Sequence, residues 1–405
     1  MTGPAPAGAT ASPAPEPTFT GAAEWAGGLV ALDELLGRPV SMRGLALLRV
    51  LVGPVVLLHL RPFLADTVDA RIYRDAFHEP YAAWYPELPR AVYVGLLWAG
   101  AAAAVAMTIG LVTRAATAAT LAIVAYNLFL STTHVHNNRA FLVIVLAALA
   151  VAPCGRELSV DEWLRRRRGL PPLPTSAPGW PLWLLRFEAT VVYGASGLSK
   201  LVDPDWFGGT VTWHRVVRVR DRLADSPLPE WAIGVLTNRA FHTYAAKVIV
   251  LTEVFIALGL WWRGTRYTAV WVAVCFHVVI QLTARVEVFS YLAIAALVIW
   301  AVPSTRDRVL IVDPLRPGSR RLAAAVGRLD WLARFRIEHG PPGAPVEVFD
   351  RDGRTITGGR AVALALSRLP LTAWPMFPAT VRTANHHTAP RSDAAGRAPT
   401  AGKAT

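Results

Sequence analysis

The stretch Val191–Gly209 reads Val-Val-Tyr-Gly-Ala-Ser-Gly-Leu-Ser-Lys-Leu-Val-Asp-Pro-Asp-Trp-Phe-Gly-Gly. Its first half is an apolar helix rich in small residues, Gly194, Ala195, Ser196, Gly197 and Ser199, a composition that lets helices approach closely in a bilayer. It ends in Lys200, an Asp-Pro-Asp turn and a Trp-Phe-Gly-Gly step. A lysine at such an end sits where lipid, protein and water meet. Poor solvation there disfavours the ammonium and favours the neutral amine, a usable base. The competing reading is a snorkelling lysine, its stem in the apolar layer and its charge in water. The rest of the chain decides between them.

Around this stretch the 405 residues are 53% hydrophobic and only 17% charged, with the apolar residues gathered in long runs. That is the composition of a polytopic membrane protein. The net charge of +13 falls mostly between apolar runs and in the C-terminal tail, as membrane topology predicts. It therefore points to the lipid bilayer as partner and not to nucleic acid. Two cysteines, Cys154 and Cys275, make neither a disulfide framework nor a Cys-based metal site. Residues 1–21, rich in Pro, Ala, Gly and Thr, lack the apolar core of a signal peptide and read as disordered. Trp25, Leu29, Leu32 and Leu36 then recur at helical spacing, predicting a short amphipathic helix over Ala22–Gly37 at the membrane interface.

About eight runs are long enough to span a bilayer: Gly44–Leu64, Ala91–Val112, Ala115–Thr132, Arg139–Pro153, Trp180–Ser199, Phe241–Trp262, Arg266–Ala284 and Val288–Val302. Arg156 and the run Arg165–Arg168 place the connection after the fourth on the cytoplasmic side. An even number of spans then leaves both termini cytoplasmic in a multi-pass plasma-membrane protein. Trp213–Arg239 lies outside as an amphipathic surface helix despite Arg215, Arg218, Arg220 and Arg222.

Charges within spans are costly and mark either function or helix pairing. They are Arg49 and His59, Arg186 and Glu188, Lys247 and Glu253, and His277 with Gln281, followed by Arg285 and Glu287. A second polar cluster, Asn127, Ser131, Thr132, Thr133, His134, His136, Asn137, Asn138 and Arg139, emerges on the same outer side as Lys200. His134 and His136 do not share a helix face and no HExxH completes a site, so no metal is expected.

Together these residues resemble the HTTM family, bacterial membrane proteins related to the integral-membrane part of vitamin K-dependent gamma-carboxylase. The resemblance rests on Leu-Ala-Leu-Leu-Arg-Val at Leu45–Val50, His-Asn-Asn-Arg-Ala-Phe-Leu at His136–Leu142, and the Gly-x-x-Lys-Leu…Trp-x-Gly motif around Lys200. Glu253, Thr265-Arg266, His277 and Phe289 add to it, and it covers roughly Ser41–Pro303. It implies that Lys200 deprotonates a vitamin K-type hydroquinone such as menaquinol, and that oxygenation then yields the base that starts carboxylation of a peptide glutamate. It also implies catalytic roles for His136, Asn138 and Arg139, and substrate contacts for Tyr193, Trp206, Glu253 and His277. Arg139 stands where the carboxylase has a histidine, and the carboxylase's large lumenal domain has no counterpart here.

The segment Val309–Leu366 resembles the thioredoxin-like DCC thiol-disulfide oxidoreductases. It reads as a strand (Val309–Val312), a helix (Arg320–Arg334), a strand (Val346–Asp350), a turn at Asp352-Gly353 and a helix from about Arg360. Arg316 and Ser319 stand where the family's two cysteines would be, so the fold is expected without disulfide exchange. The expected architecture is an all-α polytopic membrane bundle of about eight transmembrane helices with a small C-terminal α/β thioredoxin-like domain lacking the CxxC. Its boundaries are a disordered tail and interfacial helix at 1–40, the transmembrane domain at 41–303, the degenerate domain at 304–382 and a disordered tail at 383–405. Two functions follow: a quinol-dependent, carboxylase-like enzyme with a small peptide or quinone substrate, or a non-enzymatic membrane protein binding a lipid, quinone or peptide. A transporter ranks third, because no broken-helix repeat links the two halves.

Overall fold

The structure, a computed structural model, describes residues 30–69, 79–218, 220–221, 229–262, 264–283, 286, 288–302, 308–350 and 353–373. The expected tails at 1–21 and 383–405, the start of the interfacial helix, Arg222, Arg285, Glu287 and Asp352 lie outside the described residues; 30–37 is helical.

The long apolar runs fold as helices, because in lipid only intra-segment hydrogen bonds satisfy the backbone. They are α1 (Arg43–Val68), α2 (Arg90–Ile109), α3 (Thr113–Phe129) and α4 (Asn137–Val151). After a short α5 (Val160–Arg167) come α6 (Trp180–Val202), α7 (Pro204–Phe207), α8 (Thr210–Val217), α9 (Glu230–Thr237), α10 (Arg239–Gly259) and α11 (Arg266–Thr283). The bundle ends with α12 (Phe289–Ala296) and α13 (Val298–Ala301). Among the described residues, three helices, α1, α2 and α10, are long and apolar enough to cross a membrane. Asn137–Val151, Arg266–Leu282 and Phe289–Ala301 are shorter apolar helices, and α6 carries Arg186, Glu188 and Lys200 along its length. The run expected as the eighth span is helical over Phe289–Ala301, the Leu297 N–H still bonding the Ala293 carbonyl at 3.2 Å where α12 meets α13.

Packing closes these helices into a ring. α1 lies on α2, α2 on α3, α3 on α4, α4 on α6, α6 on α10, α10 on α11 and α11 on α12, and α12 and α13 return to α1. The ring's interior holds the larger core, with Leu45, Leu48, Val52, Leu97, Leu142, Leu146, Ile256 and Trp300 all essentially inaccessible. Its outer face keeps large apolar side chains uncovered, among them Trp98, Val248, Leu251 and Leu282. An apolar belt of that extent is the mark of a lipid-facing surface. Two strands unforeseen in the sequence, β1 (Pro39–Ser41) and β2 (Ser176–Pro178), pair antiparallel and tie the start of α1 to the start of α6. Where one surface helix was expected over Trp213–Arg239, the described residues form α8 and α9, both packed on α10.

The C-terminal residues build a second, smaller core around Leu310, Val312, Val326 and Val348. Here β3 (Arg308–Val312), α14 (Pro317–Leu329) and β4 (Phe335–His339) precede β5 (Glu347–Phe349), β6 (Thr355–Thr357), α15 (Gly359–Ser367) and α16 (Pro370–Ala373). The sheet order is β4-β3-β5-β6, with β3 parallel to β4 and antiparallel to β5, and β5 antiparallel to β6. Helix α14 makes the crossover that a parallel pair requires. Arg316 stands just before its start and Ser319 is buried in its first turn. This unit rests on the bundle through Arg43 Nε, which donates to the Trp331 carbonyl at 2.9 Å, and through the Arg334 guanidinium, 4.9 Å from the Tyr267 ring.

Candidate functional site

Helix α6 presents Tyr193, Ser196, Gly197 and Lys200 on one face, at the i, i+3, i+4 and i+7 spacing of a helical stripe. That face meets α10, and Gly197 permits the contact. A Cβ there would already stand 3.3 Å from Glu253 Cβ and Val254 Cγ2. The close approach sets the ammonium of Lys200 2.8 Å from both carboxylate oxygens of Glu253. Ser196 Oγ donates to Glu253 Oε1 at 3.0 Å and also bonds the lysine. The lysine side chain is 15% exposed and the glutamate's 6%. Trp206 covers the pair from the α7 turn, its ring 5.1 Å from Lys200 Nζ and 5.3 Å from the Arg215 guanidinium.

Two features differ from the sequence-based picture. The helix continues past Lys200 to Val202, and Glu253 sits two-thirds of the way along α10. The ammonium thus points back into the bundle, as side chains on a helix lean toward its N-terminus. The carboxylate facing it is Glu253, not Asp203 or Asp205. Asp203 instead accepts from its own turn's Asp205 and Trp206 N–H groups at 2.9 and 3.2 Å and so caps α7.

The turn that carries Trp206 is fixed by Gly209. Its φ of +81° is open to glycine without steric cost, and a Cβ there would collide with the His242 carbonyl. Two turns before Lys200, Tyr193 Oη lies 2.7 Å from His277 Nε2, the tyrosine 5% exposed and the histidine fully enclosed. Two buried polar groups therefore follow one another along α6, Tyr193 with His277 and then Ser196 and Lys200 with Glu253. Beside them, Phe141, Tyr193, Ala189 and Leu297 line a cavity of about 10 Å³, room for about one water.

The second sequence-defined group is held by different helices. His136 caps α4, its Nδ1 accepting from the Asn138 N–H at 3.3 Å. Arg139 donates to the His134 carbonyl at 3.2 Å, and its guanidinium lies 5.1 Å from the Phe63 ring. Phe141, one turn into α4, shares a cavity with Tyr193, so the starts of α4 and the end of α6 lie toward one end of the ring. Of the eight candidates, the structure gathers Lys200, Glu253 and Trp206, and pairs Tyr193 with His277; His136, Asn138 and Arg139 form a capping and stacking cluster. Ser196, which the sequence marked only as a small residue, joins the ion pair. Its signal was its position, three after Tyr193 and four before Lys200. Among the described residues, no three His, Cys, Asp or Glu side chains converge to hold a metal ion.

Two of the other charges within the bundle, Arg49 and Arg186, are helix ties. Arg49 donates to the carbonyls of Met107, of Thr108 at 2.8 Å and of Leu158 at 2.7 Å, satisfying the last carbonyls of α2. Arg186 donates to the Ile299 carbonyl at 2.9 Å between the rings of Trp183 and Trp300.

The family model described as HTTM domain matches residues 37–304. The chain belongs to the HTTM family. That places it among membrane proteins related to the carboxylase, and the match spans the whole helical ring from β1 to α13. No curated protein and no solved structure matched the chain.

The residues present do not suit a vitamin K-type hydroquinone, implied by the family, as a substrate deprotonated by Lys200. The cavity beside Tyr193 takes about one water, and the amine that would accept the quinol proton is held by both oxygens of Glu253.

Proposed function

We propose that this HTTM protein is a non-enzymatic, multi-pass membrane binding protein whose Lys200–Glu253 pair ties α6 to α10 beside a site for a lipid, quinone or peptide. The observation that carries this reading is the two-oxygen grip of Glu253 on the ammonium at 2.8 Å. The amine nitrogen is thus engaged by both carboxylate oxygens and by the Ser196 hydroxyl, contacts that serve helix pairing. Trp206, at the rim, offers an aromatic face to a ligand lying against the outer end. Tyr193, His277, His136, Asn138 and Arg139 are positioning residues in this reading.

The carboxylase-like reading is favoured by one observation: Lys200 lies in the full Gly-x-x-Lys-Leu…Trp-x-Gly motif, under Trp206. Purified protein in lipid, given menaquinol and oxygen, separates the two. Binding without turnover supports the first. Turnover that Lys200→Ala and Lys200→Arg both abolish, with monodispersity retained, supports the second, since a guanidinium cannot accept the proton.

The wider architecture is proposed on the same footing. Eight transmembrane segments in the plasma membrane, both termini and Arg165–Arg168 on the cytoplasmic side, and Asn138 and Trp206 outside rest on the arginine distribution. Maleimide labelling of single cysteines in intact cells, in a background lacking Cys154 and Cys275, tests it: labelling at 167 but not at 206 contradicts the orientation. For 304–382 we propose a degenerate thioredoxin-like domain. The sheet order β4-β3-β5-β6 with a helix crossing from β3 to β4 supports it, and the absence of thiols at Arg316 and Ser319 leaves it without redox chemistry.

A further inference from the structure

At the opposite end of the ring from Trp206, the α2–α3 connection and α5 flank an open groove of about 410 Å³ lined by Leu111, Leu164, Leu170, Arg165, Arg168 and Asp161 among others. The groove is built, and its sides have opposite character. Val112 holds a φ of +45°, a strained value for a β-branched residue. It is fixed there by Asp161, whose Oδ1 accepts from the Val112 N–H at 2.8 Å. The other carboxylate oxygen accepts from the Thr113 N–H at 2.8 Å and its hydroxyl at 2.7 Å. The one acid at the groove is thus taken up by backbone, and leucines floor the remainder.

Ser159 caps α5, which puts Asp161 and Glu162 in its first turn and gathers the arginines in its last. The four arginines differ in what they do. Arg166 pairs with Glu162 at 2.8 Å, and Arg167 lies 4.4 Å from the exposed Trp163 ring. Arg165 and Arg168 line the groove instead. Arg165 is steadied by donating from Nε to the Pro171 carbonyl at 2.7 Å, and Arg168 is exposed.

We propose that this groove binds one anionic phospholipid, its phosphate between Arg165 and Arg168 and an acyl chain along Leu111, Leu164 and Leu170. The occupant follows from charge and place. Arginine matches phosphate geometry, basic pockets beside membrane helices select anionic headgroups, and the groove opens at the end of α2 and α3, where headgroups lie. Trp163 beside it is the amphipathic ring that favours this interface.

Native mass spectrometry of the full chain, incubated in detergent with phosphatidylglycerol or phosphatidylcholine, tests the assignment. Phosphatidylglycerol should be retained about tenfold more than phosphatidylcholine. Arg165→Gln with Arg168→Gln should erase that preference, and the exposed Arg168→Glu alone should cut it if the double variant fails to fold. Arg166→Gln with Arg167→Gln should leave it within about twofold, since neither lines the groove. Millimolar inorganic phosphate should not displace the lipid. Equal retention of the two lipids would overturn the proposal, as would equal losses in both double variants, which would mean diffuse charge. Displacement by phosphate alone would assign the arginines to a free anion.

Discussion

At the scale of single residues, the ion pair is the test of what α6 is for. Lys200→Met leaves Glu253 as a buried carboxylate with one hydroxyl donor, and should cost roughly 3–5 kcal/mol of stability. Lys200→Met with Glu253→Met should cost much less than either single change, because both charges leave together. Denaturation in detergent micelles, arranged as a double-mutant cycle, reads both. Asp161 gives a pH-dependent counterpart. Burial pushes its carboxyl up, but the bonds from the Thr113 N–H and hydroxyl and the Val112 N–H outweigh this and hold it below the usual carboxylate range. A depressed folded value means stabilisation that is present above the unfolded carboxylate pKa of about 4 and lost as pH falls through the folded one. Asp161→Asn should therefore lower the melting temperature at neutral pH and cease to matter in strong acid. The sequence named Lys200 and Glu253 separately but could not join them. A carboxylate near in sequence, such as Asp203, is spent on its own turn, as short acidic side chains after a helix often are, whereas the true partner is brought in by packing.

At the scale of elements, apolar run length placed the bundle helices within a few residues, since lipid leaves the backbone no alternative. Legibility ended where packing takes over. The pairing of β1 with β2 depends on a contact between distant segments that no local pattern carries. In the C-terminal unit, the helix expected to reach Arg334 stops at Leu329. Asp330 accepts from the Phe335 N–H at 2.8 Å, and that turn frees Phe335–His339 to become β4, whose Arg336 and Glu338 break the apolar run that marked β3. The α6–α10 contact gives the prediction at this scale. Gly197→Leu, facing Glu253 and Val254, should destabilise by about 1–3 kcal/mol through overpacking. Gly194→Leu, where a Cβ meets nothing within 4 Å, should be close to neutral. Thermal unfolding of the two variants side by side distinguishes a specific contact from a general intolerance of bulk on α6.

At the scale of the molecule, two cores are coupled through a few side chains at the end of the ring that holds β1 and β2. Arg334 donates to the Arg368 carbonyl at 3.0 Å and to the Ala301 carbonyl at 3.5 Å, while lying against Tyr267. Arg334→Ala should loosen the C-terminal unit without unfolding the ring, seen as faster hydrogen exchange confined to β3 and β4. For the ring itself the proposal is an HTTM bundle in which a lysine that resembles a catalytic base serves as an ion-paired anchor. The most direct measurement is oxygen consumption by the reconstituted protein supplied with menaquinol, for wild type and Lys200→Arg. The account predicts that the two are indistinguishable and neither exceeds protein-free vesicles. Menaquinol-dependent consumption by wild type that falls by about 10²–10⁴-fold in Lys200→Arg, the range a general base supplies, would contradict it.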